Sequence, residues 1–361
     1  MKINKTQRNS SFELLRIISM FLIIMHHFSL YGTFNNDSIF SFEKIGNEIL
    51  RSGGKIGLNV FVLIGSYFLI EKNFNIKRPI KIVLNVIFYS YAILFIALLL
   101  NWPVLSLDHI VSSIIPVPKS YWFANYYILL LLCTPALNIL VNSFTKKQYQ
   151  NALMFLTTIW VLIPTFFLDT MGYSPLALFV YLYLVAGYIK KFPNKILENK
   201  KGVLIFFFVS LTLTILSIYC LNFLGIRYQM ALLHSDYFVD ANRLLTITNS
   251  ISLFLVFRNI EIKSNNIINF VAGSMFGVYL IHENAMVREV LWKYVDSAKI
   301  EGGLNFLLYG ILVSLVVFIG CTFIDLLRRL ALDKCIDKLT DRFSKILGNV
   351  LLKIRTILCG N

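Results

Sequence analysis

Apolar residues in this chain fall in long unbroken runs, and polar residues are confined to the short segments between them. Runs near 20 residues have the length an α-helix needs to cross the hydrocarbon layer of a bilayer. Ten can be marked: 12–31, 56–71, 80–101, 121–141, 151–168, 174–190, 203–222, 243–257, 267–283 and 304–327. The second and eighth are short and need neighbours or flanking anchors to span. Connections are brief and no Pro-, Ser- or Gly-rich linker divides the chain. Residues 1–361 therefore read as one multispanning domain with a basic tail over 328–361. The apolar stretch of the first run continues for about four turns past Glu13 and Arg16 and lacks a small-x-small cleavage site, so the run is expected to stay in the membrane as an anchor. Ahead of the second run, Phe42 to Leu50 suit a short interfacial helix that stops before Gly53 and Gly54. The predicted fold is an all-α integral membrane protein with about ten transmembrane helices.

Composition agrees with the pattern. The chain is 57% hydrophobic and only 15% charged, and a soluble protein must still present a polar skin to water. A net charge of +15 raises the question of nucleic acid, but such binders gather Lys and Arg on one polar face or tail. Here the charges sit between apolar runs, which speaks against a nucleic-acid partner and for membrane orientation. Of the 34 Lys and Arg residues, 24 fall on the side of the N-terminus, nine on the other, and Arg16 lies inside the first run. A bias that alternates loop by loop predicts an even number of crossings with cytoplasmic N- and C-termini. The five cysteines show no C-x-x-C spacing, so neither a metal site nor a disulfide framework is expected.

The stretch RNSSFELLRIISMFLIIMHH from Arg8 to His27 carries the chemistry. Ionisable groups inside a spanning helix are costly and count as functional candidates. At about 100° per residue, Glu13, Arg16 and His27 line one stripe, with Arg16 and His27 about 16 Å apart along the axis. A fixed cation at one end and an imidazole deep on the same face suit a long ligand with an anionic head and a reactive far end. Arg can hold phosphate bidentately, His can act as general base near neutral pH, and Glu13 can orient Arg16 as an (i, i+3) partner. The plainer reading is an Arg snorkelling to the headgroups and a His that packs or bonds between helices. His26 points about 100° away and reads as support.

An acidic residue, an Arg three positions on and a His after ten intervening residues form an opening pattern, met here by Glu13, Arg16 and His27. With it the chain resembles the membrane-bound acyltransferase family 3, the multispanning bacterial O-acetyltransferases of cell-surface polysaccharides. Gly57-Leu58-Asn59-Val60-Phe61 through Gly65-Ser66-Tyr67 is similar to the family's G-x-[DN]-x-F-x-x-x-S-G-[FY] run, with the Ser-Gly order inverted at Ser66. Arg78-Pro79-Ile80-Lys81 is similar to its R-x-x-R element but ends in Lys, where bidentate phosphate contact is not expected. Tyr121 to Tyr127 with Pro135 and Asn138 resembles the W-F-x-x-x-Y…P-x-L-N segment, and Tyr279-Leu280-Ile281-His282 the late Y-L-x-H element. The landmarks run in order over about residues 8–325.

The resemblance implies an acyl group, usually acetyl, taken from cytoplasmic acetyl-CoA and delivered to a hydroxyl of a glycan or glycolipid at a bacterial plasma membrane. No permanently bound cofactor or metal is implied. His27 would be the catalytic base or acyl carrier with Glu13 beside it in the catalytic set, while Arg16, Arg78 and Lys81 would bind the CoA phosphates. His282, Trp122 and Tyr126 are candidates for the acceptor, against interfacial bonding for His282 and an aromatic belt for Trp122 and Tyr126. A lipid-linked sugar transporter or flippase would also use ten or more helices with buried charges, and acyl release from acyl-CoA separates the two.

Overall fold

The computed structural model describes residues 9–34, 40–167 and 173–359, with side chains up to 350. Lys2, Lys5 and Arg8 of the charge count lie outside the described residues, as do the side chains of Lys353 and Arg355. The fold is all-helical, 82% helix, with no strands among the described residues.

Among the described residues, seven helices are long and apolar enough to cross a membrane. They are α1 (Ser10–Tyr31), α2 (Phe42–Leu69), α3 (Lys77–Leu99), α4 (Trp122–Ser143), α5 (Lys146–Phe167), α7 (Lys200–Gly225) and the start of α11 (Gly303–Cys359). The other three runs are helical but shorter: α6 (Pro175–Lys191), α8 (Leu244–Asn259), and a broken pair, α9 (Asn266–Ala272) and α10 (Met275–His282).

Two elements differ from the sequence reading. Phe42 to Leu50 is not a separate interfacial helix, because α2 runs unbroken through Gly53 and Gly54 for 28 residues. Those glycines mark a helix crossing, not a helix end. A Cβ on Gly54 would sit 2.1 Å from the His26 Cβ, so only glycine lets α1 and α2 approach this closely. The second difference is the tail, which continues as helix: α11 is 57 residues long. At 1.5 Å per residue that is about 86 Å, well beyond a hydrocarbon layer of about 30 Å.

The α9–α10 break falls at Gly273–Ser274. Arg329 of α11 enters there and donates from Nη1 to the Phe270 carbonyl at 2.7 Å and to the Ser274 hydroxyl at 2.9 Å. A side chain thus satisfies backbone freed inside an apolar layer, as such a break requires. Two of the family-like landmarks also prove to hold helices together. Asn59 Nδ2 donates to the Ala241 carbonyl at 2.8 Å. Asn138 Nδ2 donates to the carbonyls of Leu69 and Lys72 at 3.4 and 3.3 Å, past the end of α2. One apolar core reaches from α1 to α11 and encloses the site.

Candidate active site

His27 lies on α1 facing α10. His282 Nδ1 stands 2.6 Å from the Val278 carbonyl, which can only accept, so that nitrogen carries the proton and Nε2 of a neutral ring is an acceptor. His27 Nδ1, 2.9 Å from His282 Nε2, must then donate. The proton assignment leaves the lone pair of His27 on Nε2, the nitrogen that can act as base.

A carboxylate backs the same nitrogen: Glu283 Oε2 is 3.3 Å from His27 Nδ1. Its other oxygen, Oε1, accepts from Arg288 at 3.2 Å and from the Tyr31 hydroxyl at 3.5 Å. Glu283 is thereby oriented and neutralised. His27, His282 and Glu283 each offer one ligand atom, all within 4.8 Å of one another, so the set could hold a metal ion. The bond between the two imidazoles accounts for the arrangement without one.

Three cavities bear on this site, the middle one sharing wall residues with each of the others. The imidazole chamber, about 180 Å³, is lined by His26, His27, Tyr31, Lys55, Trp122, Tyr279 and Glu283, among others. A larger basic chamber of about 490 Å³ is lined by Arg16, Lys72, Arg78, Lys81, Arg328 and Arg329, with Asp333. The two share Phe61, Phe123 and Phe276 in their walls, an aromatic waist between them. Arg16 reaches this waist from the basic side, its guanidinium 6.0 Å from the Phe61 ring centre. A distal vestibule of about 320 Å³ shares Trp122 and Glu283 with the imidazole chamber and adds Lys119, Tyr121 and Arg288.

Tyr121 sets the vestibule floor. Its backbone is left-handed, φ 58°, a costly conformation for a bulky residue. Two hydrogen bonds hold it: its hydroxyl donates to the Leu280 carbonyl at 3.0 Å and accepts from Asn284 Nδ2 at 2.8 Å.

The predicted residues divide between the chambers. Arg16, Arg78 and Lys81 line the basic one. Arg16 is paired with Glu13 at 2.8 Å and Lys81 with Asp337 at 2.5 Å. Arg78 and Lys72 make no ion pair with the described residues. His282 meets His27, and Trp122 lines the imidazole chamber. Glu13 is not brought to His27. It sits with Arg16 about 21 Å away along α1, and the carboxylate at the imidazole is Glu283. Tyr126 packs beside Trp122, ring centres 6.5 Å apart, and lines none of the three cavities. The Ser66 hydroxyl is buried without a hydrogen-bond partner.

Several site residues escaped the sequence reading. Asp325 is fully buried on α11, where its Oδ1 accepts from the Tyr89 hydroxyl at 2.5 Å and from Arg328 at 2.8 Å. A Cβ on Gly277 would lie 1.9 Å from that oxygen, so Gly277 leaves the gap into which Asp325 fits. Arg288, Tyr31, Lys55 and Arg329 were passed over because nothing local in the sequence ties them to His27 or Arg16. In an outer loop, His109 is held between the Val104 carbonyl at 2.7 Å and Glu289 at 3.2 Å.

No curated protein and no solved structure matches this chain. The sequence profile of a family described as an acyltransferase domain, acyltransferase family 3, matches residues 9–326, and the chain belongs to that family.

Proposed function

With that membership as premise, we propose that the protein is a membrane O-acyltransferase. It takes an acyl group, acetyl above all, from acyl-CoA and passes it to a hydroxyl of a cell-surface polysaccharide or its lipid-linked precursor. The observation that carries this reading is the wall shared by a chamber with six Lys and Arg side chains and a chamber containing a hydrogen-bonded imidazole. A polyanionic carrier with a long thin arm would leave its phosphates on Arg78, Arg16, Lys72, Arg328 and Arg329 and push its thioester past the Phe61–Phe123–Phe276 waist. The small volume beyond the waist, about 180 Å³, favours a short acyl group. Sidedness belongs to the proposal: ten crossings, both ends in the cytoplasm, the basic chamber open to that side, in the plasma membrane of a bacterium.

In the direct version, the acceptor hydroxyl gives its proton to His27 Nε2 as its oxygen bonds to the acyl carbon. The carbon–sulfur bond then breaks, and the imidazolium returns the proton to the departing CoA sulfur. Glu283, 3.3 Å from Nδ1, stabilises the transient imidazolium, and His282 keeps Nδ1 protonated. Tyr279 lines the chamber, and among the described residues its buried hydroxyl has no hydrogen-bond partner; turned to the reacting carbon, it would suit donation to the developing oxyanion. In the other version Nε2 itself attacks and carries the acyl group to the acceptor, with ping-pong kinetics.

Purified protein supplied with radiolabelled acetyl-CoA and membrane glycolipid extract tests both. His27→Ala is expected to lower acyl transfer by roughly 10²- to 10⁴-fold, and an unchanged rate would remove both versions. Sugar movement without acyl-CoA would favour a transporter instead.

A further inference from the structure

Lys55 stands one residue past the Gly54 contact with His26, at the depth of the two histidines, and lines the imidazole chamber. It is half-buried, and among the described residues it makes no hydrogen bond and no ion pair. The acids whose charge acts on it have other neighbours: Asp236 pairs with Arg51 at 2.9 Å, and the exposed Asp240 lies 3.9 Å from Arg243. The chamber's own carboxylate, Glu283, gives Oε1 to Arg288 and Tyr31 and turns Oε2 to His27 Nδ1 at 3.3 Å. An ammonium desolvated without a counter-ion is costly, and a charge held at membrane depth calls for a named partner. The distal vestibule adds a second cation that makes no ion pair with the described residues, the exposed Lys119, and shares the half-exposed Trp122 with the chamber.

We propose that the acceptor is an anionic sugar: a glycan unit bearing a carboxylate or phosphate that pairs with Lys55 while its ring lies against Trp122, so that Lys55 determines acceptor specificity. This rests on the acyltransferase reading, in which the donor arrives through the basic chamber and its phosphates remain beyond the aromatic waist. Lys55 is then left for the other substrate. The competing role, a cation that stabilises the oxyanion of the reacting thioester, would serve every acceptor alike.

Binding separates these without relying on turnover. Detergent-purified protein is titrated calorimetrically with methyl β-glucoside, methyl β-glucuronoside and methyl β-glucoside 6-phosphate. The anionic glycosides are expected to bind roughly ten- to a hundredfold more tightly than the neutral one, the worth of a charge-assisted hydrogen bond. The tighter of the two tells carboxylate from phosphate. Lys55→Met should abolish the preference and Lys55→Arg should keep it, and the Arg variant guards against loss of folding. Equal binding of all three, no binding of either anionic glycoside, or a preference that survives Lys55→Met overturns the proposal. If His27→Ala retains acyl transfer while the Lys55-dependent preference holds, the catalytic reading fails and the acceptor assignment stands.

Discussion

Arg78 and Lys81 sit three positions apart at the start of α3, yet only Arg78 is free of an ion pair, since Lys81 is held by Asp337 at 2.5 Å. If the basic chamber takes the CoA phosphates, Arg78→Ala should raise KM for acetyl-CoA by roughly tenfold or more, the worth of a charge-assisted hydrogen bond. Lys81→Ala should do less. With acetyl-pantetheine, which lacks the nucleotide phosphates, neither substitution should matter; an equal effect on both donors would place Arg78 outside phosphate recognition. The same scale shows what a reader of the sequence could have seen. Glu13-x-x-Arg16 was noticed because it interrupts an apolar run, and Asp325-x-x-Arg328 interrupts another in the same way. Both are (i, i+3) acid–Arg pairs at 2.8 Å, and both arginines line one chamber. That rule would have found the second pair. Glu283 is different: its role depends on α10 packing against α1, a contact 255 positions apart in sequence between His27 and His282, and no local pattern encodes it.

Consecutive glycines inside an amphipathic stretch usually mark a break, yet α2 runs through Gly53–Gly54 as unbroken helix. What overrides the propensity is burial of the glycine face against α1, where the His26 ring also engages the Arg51 carbonyl through Nδ1 at 2.7 Å. This crossing positions His26, His27 and Lys55 together, so stability and activity depend on the same close approach. Gly54→Ala, which would be mild on an exposed helix, should cost about 1–3 kcal/mol by overpacking, read as a lower thermal unfolding midpoint, with acyl transfer falling alongside. An unchanged midpoint would mean that the two helices can part without consequence. The break at Gly273–Ser274 was missed for the opposite reason: a helix terminus inside an apolar run is made tolerable only by Arg329 from a distant helix, and hydropathy alone reads straight through it.

At the scale of the whole molecule, hydropathy located every run, whereas length divides them into seven helices that can span alone and three that are shorter. The short ones lean on partners, as α6 does against α2 and α4 in one continuous core. Loop charge adds what length cannot. Lys190 donates to the carbonyls of Tyr67 and Ile70 and pairs with Glu71 at 2.9 Å, while Lys77 pairs with Asp341 at 2.6 Å. Loops assigned to one side by counting are therefore neighbours in space, which supports the alternation through α2, α3, α6 and α11. Sidedness itself can be tested in a variant lacking the five cysteines, with single cysteines placed at exposed positions. Lys119→Cys and Tyr294→Cys lie at the end of the molecule that holds Glu283, and Asn73→Cys and Lys201→Cys at the end that holds Arg78. An impermeant thiol reagent on intact cells should label the first pair at once and the second only after permeabilisation. The reverse pattern would turn the arginine chamber away from the cytosol, where acyl-CoA is found, and the donor route would fail even with every contact around His27 intact.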